Sequence, residues 1–300
     1  MMFSLSPSAW VHCPLPLPQA QFRLFCLPYA GGDASLFHVW PQFLPPDMRD
    51  RIEICPIQLP GRANRIREPL FTSVAALIDA LVPSELTRSP LAPFLDKPFG
   101  FFGASLGGII AFEIVRTLDA RHQINASALC IAACGAPHLP GLYGVRGAER
   151  VTDTNLVEQI RAFGGTPEII LSNERLLRLI LPKIRADSLM AATYAYTPDL
   201  SLDCPITVCS GIDDRLVSLA DLAAWQVHTH HAFHMYTFVG DHFFVRDATP
   251  PVRVQFLESL VRSLPLPEYA PGLQRSLLEY ERKPGIAESS ACTRKKGENV

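Results

Sequence analysis

Residues 98–118 read PFGFFGASLGGIIAFEIVRTL. An apolar run enters Gly103-Ala104-Ser105-Leu106-Gly107, and a long apolar, helix-type stretch leaves it. Strand, sharp turn and helix in that order, with Gly-x-Ser-x-Gly at the turn, predict a nucleophile elbow. The glycines are needed because the turn is tight and the backbones on either side approach closely. Ser105 then stands at a helix N-terminus, where the backbone N–H of Leu106 points toward a developing oxyanion. The pattern by itself is common. Its position between strand and helix sets it apart from an ordinary Gly-rich turn.

A serine hydroxyl needs a general base, and the base needs a carboxylate to orient it. On this architecture the chain order is Ser, then acid, then His. The strand-like run Ile206 to Ser210 leads into Gly211-Ile212-Asp213-Asp214, and His242 follows a later run in FHMYTFVGDHFFVRD. Asp214 is chosen over Asp213 because it stands three residues beyond the Gly211 turn. Asp213 is expected at the surface or capping the turn, and Asp241 is expected to point away and fix the loop. Among nine histidines, His242 lies at a strand end in the right order. His228, His230 and His231 in WQVHTHHA are read as solvated, His234 lies inside a strand run, and His38 and His122 have no partner motif. The Gly-rich turn Pro28-Tyr29-Ala30-Gly31-Gly32 after the first strand offers a second oxyanion donor, the N–H of Ala30. It lacks the Lys-Ser/Thr of a phosphate loop, and no dinucleotide fingerprint follows a strand.

Outward from these motifs the chain alternates. Strand-like runs are expected at Arg23 to Tyr29, Ile52 to Ile57, Phe99 to Gly103, Ala128 to Ala133, Ile206 to Ser210 and Phe233 to Val239. Helix-like stretches are expected at Val74 to Leu81, Gly108 to Leu118 and Ala220 to His228. The runs are apolar almost throughout, which predicts a mostly parallel central sheet with helices on both faces; joined to the serine elbow, this is the arrangement of an α/β-hydrolase fold. The segment 153–196 breaks the alternation with several helices and no strand, and is read as a helical lid. One domain is expected over residues 1–264. Residues 265–300, rich in Pro, Lys, Glu and Ser, are read as a poorly ordered tail.

With 300 residues, 48% hydrophobic and 19% charged, the chain can bury a full core. A formal net charge of -2 favours neither nucleic acid nor anionic lipid as partner. The first residues carry no basic n-region and several prolines, and no apolar stretch is long enough to span a bilayer, so a cytoplasmic location is expected. Cys26, Cys55, Cys130, Cys134 and Cys209 sit in apolar runs and read as reduced, buried thiols. No metal site and no cofactor is expected.

Several stretches together resemble one family, the stand-alone type II thioesterases of nonribosomal peptide and polyketide synthesis. Their animal relatives are the fatty-acid-synthase-associated acyl-carrier-protein thioesterases. The likeness is carried by LFCLPYAGGDASLFHVW (24–40), IQLPGRANRIREP (57–69), KPFGFFGASLGGIIAFEIVR (97–116), FGGTPEIILSNERLLRLILPKIRADSLMAATY (163–194), CPITVCSGIDD (204–214) and VGDHFFV (239–245). The resemblance implies an α/β-hydrolase with a helical lid that cleaves acyl groups from the phosphopantetheine of an acyl or peptidyl carrier protein domain. It implies Ser105 as nucleophile, Asp214 as acid, His242 as base, Ala30 and Leu106 as oxyanion donors, and a monomer. The family's elbow carries His-Ser-Met where this chain has Ala104-Ser105-Leu106, which bears on substrate preference more than on the triad. The tail is longer than the family needs. In the lid, Leu176, Leu177, Leu179, Ile180 and Leu181 are candidates for an acyl pocket or for plain helix packing. Two other enzymatic readings use the same triad, a carboxylesterase and an acyltransferase on small esters. An inactive binding protein on the same fold is the reading of another class.

Overall fold

The computed structural model describes residues 9–140, 152–198 and 201–266. Six strands form one sheet: β1 (Phe22–Leu27), β2 (Ile52–Pro56), β3 (Phe99–Ala104), β4 (Ala128–Ala132), β5 (Ile206–Gly211) and β6 (Phe233–Phe238). Their order is β2-β1-β3-β4-β5-β6, and every neighbouring pair is parallel. The first five strands are buried along their whole length. That is why they read as unbroken apolar runs rather than as an alternation. The edge strand β6 is only partly buried.

The nine α-helices among the described residues are α1 (Trp40–Phe43), α2 (Val74–Leu81), α3 (Leu106–His122), α4 (Asp153–Phe163), α5 (Glu168–Leu171), α6 (Glu174–Thr193), α7 (Leu219–Ala223), α8 (Phe244–Asp247) and α9 (Pro250–Arg262). Side chains on β1 alternate between the two faces of the sheet. Phe25 and Leu27 join the core that holds Leu77 and Leu81 of α2 and Ile110 and Ile114 of α3. Phe22, Leu24 and Cys26 join the opposite core, with Trp40 of α1 and Phe256 of α9. The segment read as a lid is helical: α4, α5 and α6 lie between β4 and β5 and have a small apolar centre of their own, Leu156, Ile160, Leu171 and Leu181. Asn173 caps α6 by accepting from the N–H groups of Arg175 and Leu176. The tail read as poorly ordered lies, from residue 267 onward, outside the described residues.

Two features fix where a site belongs. The chain goes from β1 outward to β2, then crosses back to place β3 on the other side of β1. At such a reversal the loops after the two strands diverge and leave a crevice at the carboxyl end of the sheet. The loop after β1 is Pro28–Gly32, and the turn after β3 carries Ser105.

Candidate active site

Ser105 sits between the end of β3 and the first turn of α3, at φ 52 and ψ -120. A non-glycine residue seldom holds this conformation, and it persists only where the surroundings enforce it. Here they do. The Ser105 N–H donates to the Ala132 carbonyl at 2.8 Å, and the Gly108 N–H donates to the Ser105 carbonyl at 2.8 Å. A Cβ on Gly103 would meet the Gly107 carbonyl oxygen at 2.2 Å, and one on Gly107 would meet the Leu27 oxygen at 2.4 Å. Both glycines of the motif are therefore required by backbone packing.

The structure brings together the three side chains singled out from the sequence. His242 Nε2 lies 3.1 Å from Ser105 Oγ, and His242 Nδ1 lies 3.0 Å from Asp214 Oδ2. The Ser105 and His242 residues are 6% and 8% exposed, so water has little access to the proton path. With Nδ1–H facing the carboxylate, Nε2 accepts the serine hydroxyl. Asp214 lies in the loop after β5, and His242 in the loop after β6. These loops are stitched together by Asp213 N–H to Gly240 O at 3.0 Å and Ile212 N–H to Phe238 O at 2.8 Å. A Cβ on Gly211 would meet the Gly240 oxygen at 2.2 Å, so the glycine before the acid is there for close approach.

Burial works to raise the Asp214 carboxyl. The hydrogen bond and charge of His242, with further hydrogen bonds from Ser210 and the Leu216 N–H, outweigh it and hold the group below the ordinary aspartate value. Ser210 Oγ donates to Oδ2 at 2.8 Å, while the N–H groups of Leu216 and Val217 donate to Oδ1 at 2.8 and 3.1 Å. Asp214 thus stays an oriented anion. Ser210 escaped the sequence reading because a serine ending a buried strand has no distinctive signal. Asp213 is exposed, and Asp241 accepts from the Phe243 N–H at 2.8 Å, fixing its own loop.

Ala30 and Leu106 line the same cavity as Ser105 and His242. Among the described residues no protein acceptor takes the N–H of Ala30 or of Leu106, so both donors remain available to an oxygen beside Ser105. The cavity has a volume of about 520 Å³ and is walled beyond the serine by Leu156, Ile160, Phe163, Ile170, Ile180 and Ile184. Of the five lid residues considered from sequence, only Ile180 lines it. Leu176 and Leu179 are exposed, while Leu177 and Leu181 pack within the helical segment's own centre. The loop between α4 and α5 rests on the histidine loop. A Cβ on Gly165 would meet the Phe243 ring at 2.3 Å, and Arg246 donates to the Gly165 carbonyl.

One sequence expectation fails. His228 is buried, not solvated, and its Nε2 lies 2.8 Å from His138 Nδ1 among Phe112, Tyr196 and Trp225. The polar look of WQVHTHHA hides a 3₁₀ turn, Ala224–His228, that carries Trp225 and His228 inward together. Burial, with the neighbouring His138 and Arg116, lowers its pKa to about 4.

The cysteines are no rivals to Ser105. Burial pushes the thiols of Cys26 and Cys209 well up, and that of Cys130 to about 12. Cys13, Glu53 and Cys55 bring three ligand-type atoms within 4.8 Å of one another. Glu53 is already engaged by Arg23 Nε at 2.7 Å and the Leu17 N–H at 2.8 Å, and burial keeps Cys55 a thiol. This donor set is a packed polar cluster beside β2, not a match for a metal centre.

Residues 22–260 match the family model described as Thioesterase domain. The gramicidin S biosynthesis protein GrsT of Aneurinibacillus migulanus is 34% identical over 247 residues, 82% of this chain and 90% of that protein. Among solved structures, the RedJ thioesterase from the prodiginine biosynthetic pathway of Streptomyces coelicolor superposes with a TM-score of 0.72 at 31% identity, covering 83% of this chain and 88% of its own. YbtT, a type II thioesterase from the yersiniabactin NRPS/PKS pathway, gives a TM-score of 0.72 at 25% identity, covering 86% and 98%.

Proposed function

The chain belongs to the thioesterase family, and from that premise we propose that it releases acyl groups from the phosphopantetheine arm of acyl or peptidyl carrier proteins. The setting is a polyketide or nonribosomal peptide assembly line, where such hydrolysis edits stalled carriers or frees a product. The observation that carries the reading is the line Ser105–His242–Asp214 opening into an apolar cavity under α4–α6. No helix among the described residues is long and apolar enough to cross a membrane. The protein is read as a monomer that needs no cofactor and meets its substrate on a partner protein.

The thioester carbonyl enters beside Ser105 with its oxygen toward the Ala30 and Leu106 N–H groups. His242 takes the hydroxyl proton as Ser105 Oγ attacks, and Asp214 stabilises the imidazolium that forms. The oxyanion is held by the two backbone donors. Collapse breaks the C–S bond and the pantetheine thiol leaves, leaving an ester on Ser105. A thiol is a good leaving group, so this step asks less of the general acid than an amide would. Water, deprotonated by His242, then attacks the ester, and the acid departs with Ser105 restored. The walls of α4 to α6 shelter the acyl chain and act as a lid.

The test is acid release from an acyl-phosphopantetheine carrier protein by wild type and by Ser105→Ala. Wild type is expected to turn over, and the variant to lose at least about 10³-fold in kcat. A wild type that ignores acyl carriers but cleaves simple oxoesters through Ser105 moves the assignment to an esterase or acyltransferase. Failure of a fluorophosphonate to label Ser105 at all would make the protein a silent binding module.

A further inference from the structure

We infer that Arg62 and Asp187 form a positioning pair that sets the oxyanion loop and makes it competent only when α6 is seated. The inference rests on the serine-hydrolase reading above. The triad makes no use of LPGR at 59–62, of Gly31–Gly32 or of Asp187, yet the structure brings these three segments to one point. Arg62 Nη1 and Nη2 lie 2.8 Å from Asp187 Oδ2 and Oδ1, a bidentate pair. The same Oδ2 accepts the Gly31 N–H at 2.6 Å, and Arg62 Nη1 also donates to the Gly32 carbonyl at 3.1 Å. Gly31 and Gly32 follow Ala30 directly, and the Gly32 N–H donates to the Tyr29 carbonyl at 2.9 Å; that carbonyl belongs to the same peptide as the Ala30 N–H, so the ties at Gly31 and Gly32 hold the turn that aims it. Gly31 holds φ +79, and a Cβ there would press on Ile184 of α6 at 3.0 Å, so loop and helix are in direct contact as well.

The pair is a poor device for stability alone. The Arg62 and Asp187 side chains are 2% and 1% exposed, and taking two charges out of water costs about as much as their attraction returns. Apolar residues of the same volume would fill this space as well. What they could not do is offer a rigid carboxylate oxygen to the Gly31 N–H and a guanidinium to the Gly32 carbonyl. Asp187 sits on α6, so displacement of that helix removes the acceptor from the loop. Lid closure and oxyanion binding are thereby one event.

The test compares wild type with Asp187→Asn and with the double variant Arg62→Met/Asp187→Leu, which removes both buried charges at near-constant volume. End-point fluorophosphonate labelling counts folded sites, so kcat is expressed per labelled serine. In the double variant kcat on the acyl carrier is expected to fall about 10²-fold with KM within about threefold, the signature of a lost transition-state contact. The rate of fluorophosphonate inactivation should fall in parallel, since its phosphoryl oxygen uses the same donors. Asp187→Asn keeps an oxygen for the Gly31 N–H and is expected to lose only about tenfold. A double variant whose kcat per labelled site stays within threefold of wild type, whatever its melting temperature, overturns the proposal and leaves the pair a structural tie. If wild type has no thioester turnover while inactivation is still slowed about 10²-fold in the double variant, the substrate reading fails and the positioning role stands.

Discussion

The sheet and the helical segment 153–193 are built differently. Around the elbow, backbone touches backbone: the glycines at 103, 107 and 211 each face carbonyl oxygens that a methyl group would strike. In the helical segment, Gly164 has nothing within 4 Å of where a Cβ would stand, and Ile169, Leu176 and Leu179 face solvent. The sheet buries large aromatic side chains against both faces, such as Trp40, Phe101 and Phe102. The helical segment's own centre holds four buried apolar residues; it reaches the sheet core through Met190 of α6 and is tied to the rest by polar contacts, Arg62–Asp187 and Arg246–Gly165 among them. A reaction that holds three groups to a few tenths of an ångström needs the first kind of construction. The wall of an apolar pocket can be of the second kind.

Substitutions can break this contrast. The largest effect is expected at the glycines. Gly107→Ala would drive its methyl into the Leu27 and Pro28 carbonyls, and a loss of more than about 4 kcal/mol, or no folded protein, is expected in urea titration. Gly164→Ala meets only the strain of φ +74, about 1 kcal/mol. Equal losses at the two sites would contradict the contrast. Cavity-forming changes sharpen it. Phe102→Ala beneath Trp40 and Phe256 should cost about 3–5 kcal/mol, and Leu181→Ala in the centre of the helical segment about 2 kcal/mol because thin packing relaxes more readily. Leu181→Ala should leave Ser105 labelling intact, whereas Phe102→Ala should slow it.

Acid should act on the core at His228. The folded state holds His228 neutral down to about pH 4, while the unfolded chain takes up a proton near 6.5. Its folded pKa is depressed, so its contribution is complete above about pH 6.5 and is lost as pH falls toward 4, on the order of 3 kcal/mol across that window. His228→Gln removes the titration, and its stability should be flatter between pH 7 and 4.5 in denaturant titrations. A variant as acid-sensitive as wild type would assign the loss to other groups. The exposed pair Arg161–Glu168 of the helical segment should be the least consequential, with Arg161→Ala leaving the melting temperature unchanged.

The sheet was readable because strands buried on both faces are written as unbroken apolar runs, and all six stand where those runs lie. The elbow was readable because close backbone approach admits only glycine at 103 and 107. Asp214 could be chosen over Asp213 because it stands three residues beyond Gly211, and that glycine is held by its close approach to the Gly240 carbonyl. The rest was hidden for physical reasons. Asp187 and Arg62 belong to stretches where a charge ordinarily faces water, and only the fold shows that the two meet in the interior. Which face of α6 lines the cavity depends on how that helix is docked, so Ile180 and Ile184 do so while Leu176 and Leu179 do not. His228 was misread because its polar neighbours mask the turn that buries it. The helix α9 was not singled out at all, since the polar residues among its apolar ones blur the period in so short a stretch.

The central claim is that the acyl group passes through an ester on Ser105. It is tested most directly by mixing the protein with an acyl carrier, quenching within a turnover and weighing the peptide that contains Ser105. The account predicts that this peptide gains the mass of the free acid less one water, that the adduct decays as free acid appears, and that Ser105→Ala shows neither adduct nor product. Acid released at the wild-type rate with no mass on Ser105, or turnover retained by Ser105→Ala, would contradict it.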